Sequence, residues 1–318
     1  MPKGVAMRCL VVGGAGFIGS RLTKRLYDGD LDVYVIDNLC GGHREEIDFI
    51  DDDHFFDVDI NSSACISVFD HIQASYVFHL AALPRVQYSI AHPVDTTDTN
   101  ITGTVKIIEC ARNSGCIKFV YSSSSSVYGD QDELPLREDM CPNALSPYAL
   151  QKLTGELYAG MAYDIYELPT ISLRYFNVYG PTQRADSAYA AAIPKLTLQA
   201  LAGEDLTVFG DGEQTRDYTY VEDVVDANLA AMEAGLETYG KVYNVGGGTQ
   251  ISVNDIVDKI KSELGIEVNV KNLHPVVESK HTKAFTGKSK KELGWSVKVG
   301  FDEGIKETIK GVRKRYKL

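Results

Sequence analysis

The stretch Met7-Arg-Cys-Leu-Val-Val-Gly-Gly-Ala-Gly-Phe-Ile-Gly-Ser20 decides the fold. Its apolar run, Met7 to Val12, is strand-like and stops at glycines. Residues 17–28 then follow a helical period, with Ile18, Leu22 and Leu26 four apart. Gly13, Gly16 and Gly19 stand in a GxxGxxG spacing between the two. Glycines there let the chain turn sharply and bring a helix N-terminus against a diphosphate. Glycines also end strands for purely structural reasons, so the context carries the argument. The next strand, DVYVID (32–37), ends in Asp37, 18 residues past Gly19. A carboxylate at that place accepts both hydroxyls of an adenine nucleotide's ribose and repels a 2′-phosphate, which points to NAD rather than NADP. A simple turn carboxylate is the other reading of Asp37.

The same alternation continues outward. Strand-like runs recur at 54–59, 75–82, 117–125 and 170–177. Helical patterns lie between them at 62–72, 97–113 (Ile101, Val105 and Ile108 on one face) and 147–162. Continuous apolar strands alternating with helices require parallel strands covered on both faces. The expected class is α/β: a Rossmann-type doubly wound parallel sheet over residues 1–176. From 177 to 318 glycine and proline interrupt the pattern, with helices at 192–202, 221–234, 252–264 and 300–314. This reads as a smaller mixed α/β lobe for a substrate, with segments of about 216–246 returning to the sheet.

Charge narrows the partners. The chain has 318 residues and a net charge of -12, from 32 Lys+Arg and 44 Asp+Glu. Phosphate-backbone binding needs clustered cations, so nucleic acid is excluded as a partner. The basic end GVRKRYKL (311–318) reads as a solvated helix end. The six cysteines form no CxxC pair, which disfavours a metal site or a disulfide framework and suits a reducing compartment. No stretch is apolar enough for a signal peptide or a membrane span, so a cytoplasmic protein is expected.

Two further groups carry chemistry. Tyr148 and Lys152 stand four apart in SPYALQK, on one face of a helix opened by Pro147. An ammonium beside the phenol, together with a cationic nicotinamide, stabilises the phenolate and makes a base that works far below the ordinary tyrosine value of ~10. A surface Tyr/Lys pair is the ordinary alternative. Ser122 to Ser126 leave a strand at its C-terminal end, where doubly wound sheets bind ligands. Asp59-Ile60 follow the third strand, where such folds border the adenine. HLAAL (79–83) offers small residues for close approach of a cofactor, and His79 reads as a packed strand residue.

Glycine loop, strand-end serines and YxxxK, in that order, resemble the extended short-chain dehydrogenase/reductases of the NAD-dependent epimerase/dehydratase family. Within it the chain is similar to the UDP-hexose 4-epimerases, including those acting on N-acetylated sugars. The resemblance runs over nearly the whole chain through GGAGFIGS (13–20), VIDN (35–38), HLAA (79–82), TNITGT around Asn100, SSSSSVYG (122–129), YALQK (148–152), LRYFNVYGP (173–181) and GDGEQTRDYTYVEDV (210–224). It implies Tyr148 as base, Ser124 as its partner on the sugar hydroxyl and Lys152 on the nicotinamide ribose. It implies NAD contacts at Gly13, Gly16, Phe17, Ile18, Gly19, Asp37, Asn38, Asp59, Ile60, Leu80, Ala81, Ala82, Asn100, Ser122, Tyr148, Lys152, Tyr175 and Val178. A UDP-sugar is expected at Arg85, Ser124, Tyr148, Asn177, Ala192, Arg216, Glu278 and Thr282, the loop SAYAAAIPK (187–195) covering its uridine. The reaction implied is oxidation at C4′, rotation of a 4-keto sugar and return of the hydride, with NAD tightly held. No metal is expected, and the family's homodimer pairs helices near 100–113 and 149–162.

Three features narrow or disturb that reading. Ser124 to Ser126 carry no acid where related dehydratases and decarboxylases have one, which favours simple epimerisation. Counting back from LGW (293–295) puts Thr282 at the gate beside the sugar 2-substituent, small enough for an N-acetyl group. In HPVVESKHTKAF (274–285) Glu278 fits the family's acid, but Pro275 stands where an Arg is usual and Phe285 replaces an Asp. Lys280 or His281 is then left to supply a phosphate contact. Two alternatives stay open: a UDP-uronate epimerase or decarboxylase using Arg85, and a non-catalytic NAD-binding scaffold.

Overall fold

The structure is a computed structural model that describes residues 7–186, 190–275 and 279–318. Its centre is a seven-stranded parallel sheet built from β1 (Arg8–Val12), β2 (Asp32–Asp37), β3 (Phe55–Asp57), β4 (Tyr76–His79), β5 (Lys118–Ser124), β6 (Thr170–Tyr175) and β11 (Lys241–Val245). The spatial order is β11-β6-β5-β4-β1-β2-β3. Between them in sequence come β7 (Val178–Tyr179), β8 (Leu206–Phe209), β9 (Thr215–Arg216) and β10 (Thr219–Tyr220). The order of strands reverses between β1 and β4, and at that switch point the loops after the two strands diverge into a crevice.

Successive residues of β1 show why the sheet is covered twice. Cys9 and Val11 face one side, against Leu22 and Leu26 of α1 (Phe17–Asp28) and Val224 of α8 (Val221–Glu233). Leu10 and Val12 face the other, against Phe69 of α2 (Ser63–Ile72) and Ile107 of α5 (Thr104–Asn113). A period-2 strand with both faces apolar needs a helical layer on each. Helix α6 (Pro147–Tyr166) lies on the α2/α5 side. It starts where Ser146 Oγ accepts the Ala149 N–H (3.2 Å) and Pro147 occupies the first turn.

The helix expected at 97–113 forms without interruption but changes pitch along its length. α4 (Pro93–Thr97) is followed by a π-helical segment at Asp98–Gly103, and only then by α5. The cause is visible at both ends of the segment. Gly103 is packed on the Ile60 side chain, and the Asn100 amide is drawn inward to brace the chain after β4. Such wide turns concentrate at functional sites.

The rest forms a smaller lobe. α7 (Ala192–Leu201), α9 (Val253–Leu264) and α10 (Phe301–Tyr316) enclose a core of Ile193, Leu196, Leu206, Val208, Ile256, Ile260 and Ile305. Short strand pairs edge it: β8 with β13 (Val270–Leu273), and β9 with β12 (Ile251–Ser252). Among the described residues no helix is long and apolar enough to cross a membrane. All six cysteines are free.

Candidate active site

The crevice floor is made by backbone. Gly13 has a left-handed φ of +86° and lies on the chain after β4, where an added Cβ would stand 2.5 Å from the Ala81 nitrogen. β4 ends at His79 because the N–H groups of Leu80 and Ala81 both turn to the Val12 carbonyl (2.8 Å each). A Cβ on Gly19 would overlap the Gly13 carbonyl, so helix and strand touch directly. The face of Gly16 is open, a Cβ there meeting only the Gly13 oxygen at 3.3 Å. No side chain caps α1 at Gly16, and its first turn, which holds Phe17 and Ile18, contains no acid. A helix N-terminus left in that state is a seat for an anion.

Asp37 ends β2 buried beside this loop. Its two oxygens accept the N–H groups of Ala15 (2.9 Å) and Leu39 (2.8 Å). Burial pushes its pKa up, and those two hydrogen bonds oppose the rise. Each oxygen keeps a lone pair for a ribose hydroxyl. Asn38 Nδ2 reaches Asp59 Oδ2 (2.8 Å), which ties the ends of β2 and β3 together at the crevice edge. Glycine cradle, uncapped helix and ribose-directed carboxylate together fit a dinucleotide.

Tyr148, Ser124 and Lys152 meet at the other wall. The Ser124 hydroxyl lies on the Tyr148 side of the strand end, and Ser126 Oγ donates to Ser124 Oγ (2.9 Å). Burial pushes Tyr148 up to about 12; the Ser124 hydroxyl and the Arg85 charge pull the other way. Lys152 is buried too. Its Nζ donates to the Ser122 carbonyl (2.7 Å) and stands 5.0 Å over the Tyr121 ring. Burial draws the ammonium down to about 7, while the Glu156 charge holds it up. The ammonium therefore faces the strand.

Several residues expected at the ligand are committed to the protein. The Asn100 amide accepts the Leu83 N–H (2.8 Å) and donates to Gln151 Oε1 (2.8 Å). The Tyr175 hydroxyl lies between Ser122 Oγ (3.0 Å) and the Asn228 amide (2.8 Å to Nδ2). Ile60 is buried against Gly103. Thr282 is 5% exposed, its hydroxyl accepting the Asp217 N–H (3.1 Å). Asn177 Nδ2 donates to the Asp217 carbonyl (3.1 Å), and Arg216 Nη1 to the carbonyls of Thr215 and Lys280 (3.0 Å each). Val178 opens the two-residue strand β7, and Ala192 opens α7. Ser187–Tyr189 and Glu278 lie outside the described residues.

Other partners were not anticipated. Glu156 pairs twice with Arg174 (2.8 and 2.7 Å) and accepts from Ser123 Oγ, locking the serine strand between α6 and β6. Ser89, on α3 (Val86–Ala91), accepts the Tyr148 N–H (3.1 Å). Asp217 is fully buried; burial raises it to about 6 against the N–H groups of Ala284 and Gly248, which it accepts at 2.7 and 3.0 Å. A charged residue inside the apolar runs of β6 and α6 is the signal that marks Arg174 and Glu156 in the sequence. His79 is packed, as expected. Its Nε2 lies 2.9 Å from Thr104 Oγ1, and burial pulls it down to about 3.

Comparison with known proteins agrees with this geometry. Residues 9–246 match the model of the NAD-dependent epimerase/dehydratase family. This chain belongs to that family. NAD is accordingly its cofactor, and the glycine cradle and Asp37 are the groups that would hold it. A UDP-glucose 4-epimerase from Mycolicibacterium smegmatis is 34% identical over 97% of this chain and 99% of its own. The crystal structure of UDP-glucose 4-epimerase from Thermotoga maritima with UDP-glucose superposes with a TM-score of 0.92 at 35% identity, covering 98% of this chain and 100% of that one. A UDP-glucuronic acid 4-epimerase from Bacillus cereus, solved with UDP-glucuronic acid and NAD, gives 0.90 at 33%, covering 98% and 100%. The fold is common to both structures, and the sugar differs between them.

Proposed function

We propose that the chain is a UDP-hexose 4-epimerase, interconverting UDP-glucose and UDP-galactose, with the N-acetylated pair as further substrates. The observation that carries this reading is the strand-end stretch Ser124 to Ser126 beside Tyr148. Ser124 approaches it from the strand end with Ser126 donating to Ser124, and the stretch holds no carboxylate. Elimination or decarboxylation calls for an acid there; moving one proton on and off a sugar hydroxyl does not.

In this reading Tyr148 takes the proton of the 4′-hydroxyl, and Ser124 holds that hydroxyl in line. Bound NAD supplies the hydride acceptor and donor. Once the sugar has presented its other face, Tyr148 returns the proton. Lys152 fixes the cofactor's ribose and the Ser122 carbonyl. Arg216, with its planar fork of donors, takes the diphosphate. The protein groups contribute position and electrostatics in a water-poor wall.

Tyr148→Phe tests the assignment. Turnover of UDP-glucose should fall by about 10²- to 10⁴-fold while NAD, measured on the denatured protein, stays bound. Full turnover in that variant rejects Tyr148 as the base. Product mass separates the neighbouring chemistries, because epimerisation leaves it unchanged and decarboxylation removes CO2. We also place the protein in the cytoplasm as a homodimer paired through α5 and α6, whose outer face exposes Leu150, Leu157 and Ile165.

A further inference from the structure

The basic end of the chain divides in two. Arg313, Lys314 and Lys317 are exposed, as a solvated helix end requires, but Arg315 and Tyr316 are half-buried. Arg315 Nη2 donates to Glu46 Oε1 (2.5 Å), and the two side chains are only 21% and 16% exposed. The same nitrogen reaches the Thr182 carbonyl (3.3 Å). The Tyr316 hydroxyl accepts the Ala185 N–H (3.0 Å), and Gly311 packs directly on Pro181. Arg184 pairs with Glu45 beside them (3.3 Å), but Glu45 is 70% exposed, so water and salt screen that pair. The enclosed pair is Arg315 with Glu46. Through it the last helix of the small lobe grips a residue 269 positions earlier in the chain.

Glu46 belongs to the segment that runs from Asp37 back to the glycine cradle. The Leu39 N–H donates to the Asp37 carboxylate (2.8 Å), and the His43 N–H donates to the Ala15 carbonyl (3.0 Å). Gly42 lies so close to Ala15 that a Cβ would meet its carbonyl carbon at 2.8 Å. A dinucleotide seated on Gly16 and Asp37 is therefore bordered by residues 38–43. Ile47 is fully buried and fixes the far end of the segment in the core. Cys40 and Gly41 are exposed, and none of 39–46 belongs to the sheet. Asp37 and Ala15 hold this segment from one side, Arg315 from the other. The joint with the small lobe is incompletely satisfied: among the described residues Arg315 Nε, Thr182 Oγ1 and Gln183 Oε1 are buried without a partner. Unpaired buried polar atoms cost stability, so this joint parts more readily than the backbone contacts of the crevice floor.

We propose that Arg315 is a positioning residue for the cofactor: its pair with Glu46 is a clasp that holds residues 39–46 against the glycine cradle and slows the escape of NAD. The clasp is built across the two lobes, so the segment bordering the cofactor is fixed by the same helix that packs the small-lobe core. An arginine suits the place, because its guanidinium keeps its charge and serves a carboxylate and a carbonyl together. The inference concerns NAD alone and holds whichever sugar is turned over.

Exchange of bound NAD for isotopically labelled NAD reads the release rate of the holoenzyme with no sugar present. Arg315→Met should speed exchange by about tenfold, as for a lost hydrogen bond to a charged group, and Glu46→Gln by a similar factor. The double variant should be no faster than either single one, because each removes the same interaction. Arg315→Lys, which keeps the charge and loses the planar fork, should fall between wild type and Arg315→Met. Arg313→Met, an exposed neighbour on the same helix, should leave the rate unchanged. An unmoved rate in Arg315→Met overturns the proposal. So does a fast Arg315→Met beside a normal Glu46→Gln, which would assign Arg315 to the Thr182 carbonyl instead. An equal acceleration in Ile256→Val, which loosens the core of the small lobe, would trace the effect to general destabilisation and also overturn it. Should Arg315→Met fail to fold, Glu46→Gln and Arg315→Lys read the same clasp. Because no sugar enters the assay, its outcome stands apart from the 4-epimerase reading, which turnover decides separately.

Discussion

The two sides of the crevice are built from different materials. On the cofactor side the contacts are backbone on backbone: Gly13 on Ala81, Gly19 on Gly13, the Val12 carbonyl on two N–H groups. These groups belong to the central sheet and are in place before any ligand arrives. On the side proposed for the sugar nucleotide Arg216 stands on a two-residue strand, and Thr282 and Lys280 come from the chain beside it. A sheet-borne surface can be read by any chain that keeps its glycines. A surface made of short strands and side chains can be retuned one residue at a time, and the relatives that share this fold act on different sugars.

Substitutions can break that contrast. The largest structural effect is expected at Gly19→Ala, which forces helix and strand apart at the crevice floor. Loss of bound NAD and about 3 kcal/mol of stability should follow, read by denaturant unfolding and by cofactor content. Retention of both would show that the cofactor side is as adaptable as the other. Arg216→Met should raise KM for a UDP-sugar by about 10- to 100-fold, as for a lost hydrogen bond to a charged group, and leave NAD content unchanged. A drop in kcat without a change in KM would move Arg216 out of the diphosphate site. The smallest effect is expected at Thr282→Val. It removes the acceptor of the Asp217 N–H and should cost about 1 kcal/mol. The preference between UDP-glucose and UDP-GlcNAc should shift by less than about twofold, because that is under 0.5 kcal/mol. A larger swing would restore the gate role.

Legibility followed the same division. The parallel sheet, the glycine loop and Asp37 were visible because their signals are local: an apolar run, a GxxGxxG spacing, an acid at a strand end. The meeting of Ser124 with Tyr148 was legible through resemblance, since 24 residues separate them in sequence. What stayed hidden was where polar side chains spend their hydrogen bonds. Asn100, Tyr175 and Thr282 look like ligand contacts by motif, and the fold turns each of them to a neighbour across the sheet or loop. The direction of the Lys152 ammonium was hidden for the same reason. Residues four apart share a face of a helix, but the nearest carbonyl decides where a flexible side chain points.

Helix α6 has a consequence for how this protein tolerates change. One side of it carries Tyr148, Lys152 and Glu156, all buried; the opposite side presents Leu150, Leu157 and Ile165 to the outside. If that outer side meets a second copy, no long stretch of the helix is free to drift. A variant selected for altered assembly would then have to be built on the same twenty residues that aim the base. Changes that spare both duties have to come from elsewhere, and the small lobe, with its short strands and open ends, is where they can accumulate.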